Sequence, residues 1–396
     1  MFTKRTIRSI DVTGKRVLVR VDLNVPLDGQ KVTNLSKIEE IVSTIDYLLD
    51  KQARIILMSH LGRPGGKFDK TLVMDPVAAA LSSVLKRNVA KVDDCIGAVA
   101  EQAVAGMTAG QILLLENLRF YPEEEANDPG FAKKLASLGD IYVNDGFAVS
   151  HRAHASTVGV TKFLPSAAGF ALEHEVEMID TFLTNPPGPF WLVIGGAKVS
   201  TKVGILKALM DKVDGIIIGG AMANTFLAAD GMAMGSSMYE KEALPTAVEV
   251  MKLALDKKKP LVLPSDVIVA ESTDSTNTRS IAVTEVGPLD MALDIGPLTV
   301  ATFRNYLRAA NTVLWNGPMG LFEKQEFAPG TFEVGLVFAD VSKRTLIAGS
   351  DTIAAIDNLG LRHKYTYIST GGGATLEYIE GKPLPGIAAL PDKAAA

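Results

Sequence analysis

Short runs of Val, Ile and Leu alternate along this chain with longer stretches of helical periodicity, and no other feature narrows the possible folds as far. The runs predict strands at 16–21, 54–59, 112–115, 141–144, 190–194, 215–218, 261–263, 312–315, 345–347 and 366–368. The clearest helical stripe joins Leu35, Ile38, Ile41, Val42, Ile45, Leu48 and Leu49, with Ser36 and Glu39 spaced as a capping box at its start. Alternation of this kind implies parallel sheets with helices on both faces.

A chain of 396 residues exceeds one ordinary core and suggests two domains. The predicted fold class is α/β: two Rossmann-like three-layer domains with parallel sheets, joined by a connecting helix and hinge. The helix is read at 172–183, and Asn185-Pro-Pro-Gly-Pro189 stiffens the turn after it. Net charge is −5, which argues against nucleic acid or an anionic membrane as the main partner. One cysteine, Cys95, allows no intrachain disulfide and no cysteine metal cluster, and reads as a small buried hydrophobe. Residues 1–11 carry basic groups without an apolar run, and no stretch is apolar enough to span a membrane. The expected location is the cytoplasm.

Several strands of the second half run into glycine: Gly195-Gly196, Gly219-Gly220, Gly349 and Gly371-Gly372-Gly373. Any one such loop is most simply a tight turn. Together, at the ends of strands in one open sheet, they suggest a crevice where backbone N–H groups meet phosphate. None fits the Walker pattern or G-x-G-x-x-G. Lys198 and Lys202 are spaced to share a helix face beside the first loop, where an anion would compensate them. Asp351 suits a Mg²⁺ that arrives with a nucleotide, or equally a helix cap. Glu323 suits ribose hydroxyls, or is an ordinary solvated carboxylate.

Strand ends of the first half carry cations and amides instead. Asp22 and Asn24, His60 and Arg63, Arg119, and Arg152 follow successive strands. Arginine forks suit phosphate and carboxylate, so a small doubly anionic metabolite is the expected ligand.

Eight blocks, in order, carry a resemblance. Arg20-Val-Asp-Leu-Asn-Val-Pro26, Ser59-His-Leu-Gly-Arg-Pro64, Leu115-Glu-Asn-Leu-Arg-Phe120, His151-Arg-Ala-His-Ala-Ser156, Gly195-Gly-Ala-Lys198, Leu293-Asp-Ile-Gly-Pro297, Trp315-Asn-Gly-Pro318 and Ser369-Thr-Gly-Gly-Gly-Ala374 resemble the signatures of the phosphoglycerate kinase family. The resemblance implies phosphoryl exchange between 1,3-bisphosphoglycerate with ADP and 3-phosphoglycerate with ATP, Mg²⁺ as cofactor, and a monomer. It places the acceptor site on Asp22, Asn24, Lys37, His60, Leu61, Gly62, Arg63, Arg119 and Arg152. The nucleotide site falls on Lys198, Lys202, Gly219, Gly220, Asn316, Pro318, Glu323, Gly349, Ser350, Asp351 and Thr352. Lys37, Lys198 and Lys202 take catalytic roles, Gly371 and Gly372 offer backbone donors, and Asp351 helps hold the metal. The implied domains are 1–171 for the acceptor, 172–184 as the interdomain helix, 185–370 for the nucleotide, and 371–396 returning to the first domain.

Three positions depart from the family pattern. Lys37 stands where an arginine is usual, keeping the charge without the planar fork. Ala348-Gly349-Ser350 replaces three glycines, adding two Cβ atoms to a phosphate loop. Thr201 stands between the two lysines in place of an acidic residue. Two other readings compete: a nicotinamide-dependent dehydrogenase, disfavoured by the missing G-x-G-x-x-G, and a catalytically weakened relative kept as a nucleotide- or protein-binding module. Two half-sites on two domains also imply hinge closure.

Overall fold

The computed structural model describes residues 2–340 and 344–393. The chain divides into two compact units, Met1–Glu177 with Pro383–Ala396, and Met178–Lys382. The division falls inside the helix Phe170–Leu183. Residues 371–382 belong to the second unit, whereas the sequence reading began the returning segment at 371.

The first unit is built on six parallel strands in the spatial order Val89–Lys91, Ile112–Leu114, Arg54–Met58, Arg16–Arg20, Ile141–Asn144, Ser166–Ala168. Arg20 lies opposite Met58 on one side and Asn144 on the other, so the loops leaving these three strands emerge along one edge. The second unit orders its six parallel strands Leu261–Val262, Gly215–Ile218, Phe190–Ile194, Thr312–Asn316, Arg344–Ala348, Tyr367–Ser369. In both sheets the chain reverses direction beside the strand that starts the sheet, and ligand crevices open at such reversals. The central strands are legible as apolar runs because helices cover both faces: every residue of Ile141–Asn144 and Phe190–Ile194 is buried.

Two parallel strands were not expected. Val89–Lys91 and Ser166–Ala168 are three-residue edge strands containing alanine and little that is β-branched, so only their pairing defines them. An antiparallel sheet of Asp266–Ala270 between Arg279–Ala282 and Met291–Ile295 was also missed. It covers a small cluster that includes Leu227, Met234, Val267 and Val269.

The 35–50 stripe is interrupted. Helices Ser36–Glu40 and Val42–Asp50 meet at Ile41, and Leu35 is exposed instead of joining the buried stripe. The expected capping box does not start this helix: the Ser36 N–H donates to Asn34 Oδ1 at 2.9 Å, and an Asx turn takes its place.

After Lys382 the chain joins the first unit. The N–H groups of Gly386 and Lys393 donate to Ser150 O and Thr3 O, and the Arg5 N–H donates to Pro391 O, each at 2.8 Å. No helix among the described residues is long and apolar enough to cross a membrane.

Candidate active site

In the first unit, loops at one sheet edge join several of the singled-out residues into one hydrogen-bonded set. Lys37 Nζ donates to Asp22 Oδ2 at 2.6 Å and to Asn24 O at 3.2 Å. Asp22 Oδ1 accepts from the Asn24 N–H at 3.1 Å, and Asn24 Oδ1 from the Gly62 N–H at 2.8 Å. Gly62 O accepts from Arg119 Nη1 at 3.0 Å, and Arg119 Nε pairs with Glu125 at 3.0 Å. Leu61 is buried and gripped by Asn117, which accepts from its N–H at 3.2 Å and donates to its carbonyl at 2.7 Å. His60 is buried with Nδ1 3.2 Å from Arg20 Nη2. Arg63 and Arg152 stay exposed, with Arg152 Nε 3.1 Å from His151 Nε2.

Burial and neighbouring charge together set the protonation states here. Burial pushes the His60 imidazole well below its ordinary value; Asp22 opposes this, while Arg20, Arg119 and Lys37 reinforce it. Burial alone would raise Asp22, but Lys37 and the Asn24 N–H oppose it, and the carboxyl stays below its usual value. At neutral pH the crevice therefore offers a neutral imidazole among ionised groups.

In the second unit a cavity of about 210 Å³ is lined by Lys202, Asn316, Gly317, Gly349, Ser350, Asp351, Thr352, Gly372, Gly373 and Leu376. Lys202 Nζ contacts the Asn316 side chain and lies 3.4 Å from Asn316 O. Burial pushes its ammonium down to about 8, partly offset by Asp351. Asn316 Nδ2 donates to Ala348 O at 2.8 Å, and the Gly317 N–H donates to Thr352 Oγ1 at 2.6 Å. Asp351 is exposed in the first turn of Ser350–Asn358, whose cap position is Gly349, so the carboxylate is not the helix cap.

One expectation is corrected. Lys198 and Lys202 do not share a helix face, because the helix begins only at Val203. Upstream, the N–H groups of Gly195 and Gly196 donate to Asn316 O and Pro318 O, and a turn through Lys198–Lys202 follows. Lys202 faces the cavity from the helix cap, while Lys198 is exposed. Near Lys198, Glu240 accepts from the Ser200 hydroxyl at 2.6 Å.

The glycines divide by role. Gly219 and Gly220 spend their N–H groups on Ile194 O and Met319 O. A Cβ on Gly220 would stand 2.6 Å from Gly196 N, so this glycine serves close packing of loops. Gly371 N–H donates to Ser369 Oγ at 3.3 Å, and Gly372 lines the cavity. Within Ala348-Gly349-Ser350 only Gly349 has positive φ, +93°, while Ala348 ends a strand and Ser350 opens a helix. The two extra Cβ atoms therefore sit where any residue is comfortable. Glu323 is exposed and does not line the cavity.

Sequence reasoning assigned no role to Arg20, Asn117, Glu124 or Ser156, all buried around the first crevice. Arg20, Asn117 and Ser156 lie within motif blocks, yet only the folded chain turns them inward, Arg20 at a strand end and Asn117 at the cap of a short turn. A charged residue hidden from water needs partners, and those are remote in sequence.

The phosphoglycerate kinase family model matches residues 7–382. The phosphoglycerate kinase of Moorella thermoacetica is 51% identical over 391 residues, covering 98% of this chain and 100% of its own length. That of Pelotomaculum thermopropionicum is 50% identical over the same shares. Among solved structures, phosphoglycerate kinase from Coxiella burnetii superposes with a TM-score of 0.86 at 40% identity, covering 98% of both chains. The Pyrococcus horikoshii enzyme gives 0.85 at 30% identity, again covering 98% of both. With two parallel-sheet units, a hydrogen-bonded polar cluster at the strand ends of the first and a cavity at those of the second, the chain belongs to the phosphoglycerate kinase family, enzymes that pass a phosphoryl group reversibly between 1,3-bisphosphoglycerate with ADP and 3-phosphoglycerate with ATP.

Proposed function

We propose that the first unit's crevice holds 3-phosphoglycerate or 1,3-bisphosphoglycerate and the second unit's cavity holds the phosphates of ATP or ADP. The cavity beside Lys202 carries this reading: it combines a cation, the glycine-capped start of a helix and the Asp351 carboxylate. Lys202 meets phosphate charge there, with Lys198 free to swing toward it. Gly349, Ser350 and Thr352 would offer the phosphates backbone and hydroxyl groups, and Gly372 lines the same cavity. Glu323 is assigned to the ribose.

Mg²⁺ fits this arrangement. Among the described residues no three His, Cys, Asp or Glu side chains gather as a metal cluster. One carboxylate, Asp351, is what a Mg²⁺ carried on nucleotide phosphates needs from protein. Asp351 would help hold the ion, which would supply neutralisation of phosphate charge.

On the acceptor side Arg63, Arg119 and Arg152 bind the phosphate, and Asp22, Asn24 and His60 orient the hydroxyl and carboxylate. The accepting carboxylate is ionised at neutral pH, so no general base is required, and positioning with charge neutralisation carries the rate. Lys37 faces the transferring group. The chain is taken to work as a cytoplasmic monomer. A coupled assay of ATP-dependent 3-phosphoglycerate phosphorylation tests the whole reading, and turnover at background would sink it. Separate calorimetric titrations with Mg-ADP and with 3-phosphoglycerate test the two crevices, using K202M and R119M as controls that each abolish one titration only.

A further inference from the structure

We propose that Arg20 is a positioning residue for phosphoryl transfer: it fixes His60 as the tautomer protonated on Nε2, so that the imidazole meets the acceptor substrate only as a hydrogen-bond donor. This role rests on the acceptor reading of the first unit's site, whereas the protonation pattern of the imidazole can be measured without any substrate.

Arg20 ends the central strand of the first sheet and is 1% exposed. Its guanidinium is held on three sides. Nε donates to Ser156 Oγ at 2.9 Å, Nη1 donates to Val21 O, and Nη2 lies 3.2 Å from His60 Nδ1. Ser156 passes the interaction on, its hydroxyl donating to Glu124 Oε1 at 2.5 Å and its N–H to Glu124 Oε2 at 2.9 Å. Glu124 is fully buried and supplies the negative charge for this otherwise uncompensated arginine. Burial pushes the Glu124 carboxyl up, while Arg20 and Ser156 pull it back down.

A guanidinium has donors and no acceptor, and it keeps its proton throughout the working pH range. A contact between Arg20 Nη2 and His60 Nδ1 is favourable only if Nδ1 presents a lone pair. A proton there would set two donors against each other inside a buried site. The single imidazole proton must then reside on Nε2. The other charged groups that act on the ring are Asp22, which favours a proton, and Arg119 and Lys37, which oppose a second one. Burial already disfavours a second proton on the ring, and Arg20 decides which nitrogen carries the one that remains. The consequence for substrate is directional. His60 can donate to a carboxylate or hydroxyl oxygen of the acceptor and cannot remove its proton.

Long-range ¹H–¹⁵N spectra of the imidazole nitrogens provide the test. The chain has five histidines, and loss of one spin system in H60Q assigns His60. The expected wild-type pattern is an unprotonated Nδ1 and a protonated Nε2, unchanged across neutral pH. A protonated Nδ1 overturns the proposal without reference to any variant. R20M should mix the tautomers and raise KM for 3-phosphoglycerate by about tenfold, the scale of one mispaired hydrogen bond, with KM for ATP unchanged. R20K, which restores a cationic donor, should recover the wild-type nitrogen pattern and part of the KM. In an H60Q background, where a fixed amide donor replaces the ring, R20M should no longer change KM. If R20M alters thermal stability while the nitrogen pattern and KM stay at wild type, Arg20 is structural only and the proposal fails.

Discussion

Lys37 shows how a residue's neighbours set its chemistry. Its ammonium is committed to Asp22 and Asn24 O before any phosphoryl group arrives. An arginine could keep the Asp22 pair and still present a second nitrogen, which an ammonium point charge does less well. K37R is expected to raise kcat several-fold, by analogy with the effect of single transition-state donors. Steady-state kinetics in the coupled assay check this, and an unchanged kcat would mean that Lys37 is already adapted or plays no part in transfer. Lys202 carries a pH signature. Folding lowers it from 10.5 to about 8, so between these values the unfolded chain holds the extra proton and stability from this group rises with pH. Nucleotide phosphates favour the charged form, so ADP affinity should fall as pH rises past about 8, by up to about tenfold per unit. Titrations at several pH values should show that slope, and K202M should flatten it. Both lysines were legible as candidates from the sequence. What was not legible was that Lys198 and Lys202 precede their helix, because backbone bonds to a remote loop delay its start.

At the scale of elements, the crevices depend on how loops end strands and start helices. Gly349 has φ +93°, and a Cβ there would stand 2.6 Å from Asn316 Nδ2. G349A should therefore displace Asn316 and the start of Ser350–Asn358, weakening Mg-ADP binding by about tenfold or more, the scale of a hydrogen bond mispaired inside a site. Calorimetry measures it, and unaltered affinity would remove this loop from the phosphate site. Helix Phe170–Leu183 starts on Asp145, whose Oδ1 accepts from the N–H groups of Ala171 at 2.9 Å and Leu172 at 3.2 Å. Burial raises the Asp145 carboxyl to about 6, the direction that costs stability as pH rises through that value. D145A should lose the cap, about 1–2 kcal/mol by chemical denaturation, while D145N keeps an acceptor and should lose less. Equal losses in both would mean that the charge, and not the hydrogen bonds, matters. The buried central strands were readable as apolar runs. The edge strand Ser166–Ala168 was not, since alanine and serine favour no strand without a neighbour to pair with.

At the scale of the molecule, the last described residues complete the first unit. Asn144 Nδ2 donates to Gly386 O at 3.0 Å, and a Cβ on Gly386 would stand 2.9 Å from Ser150 Cα. Removing residues 383–396 should destabilise the first unit by a few kcal/mol, from several lost backbone bonds of about 0.5–1.5 kcal/mol each. Hydrogen exchange should rise around residues 3–6 and 144–150 and stay unchanged in strand Arg344–Ala348. Uniform loosening of both units would contradict it. The α/β class and the central strands could be read from the residues alone, because periodicity is local. Tertiary structure alone decided which side chains touch: Arg20 with His60, Ser156 with Glu124, Lys37 with Asp22. Such contacts join residues 15 to 40 positions apart, and sheet order and register, which set them, are properties of the folded chain and not of any segment. The polar strand ends of both units were visible in the residues, while the contact of Arg20 with His60 was not, because a motif block does not say which side chain a buried strand end meets.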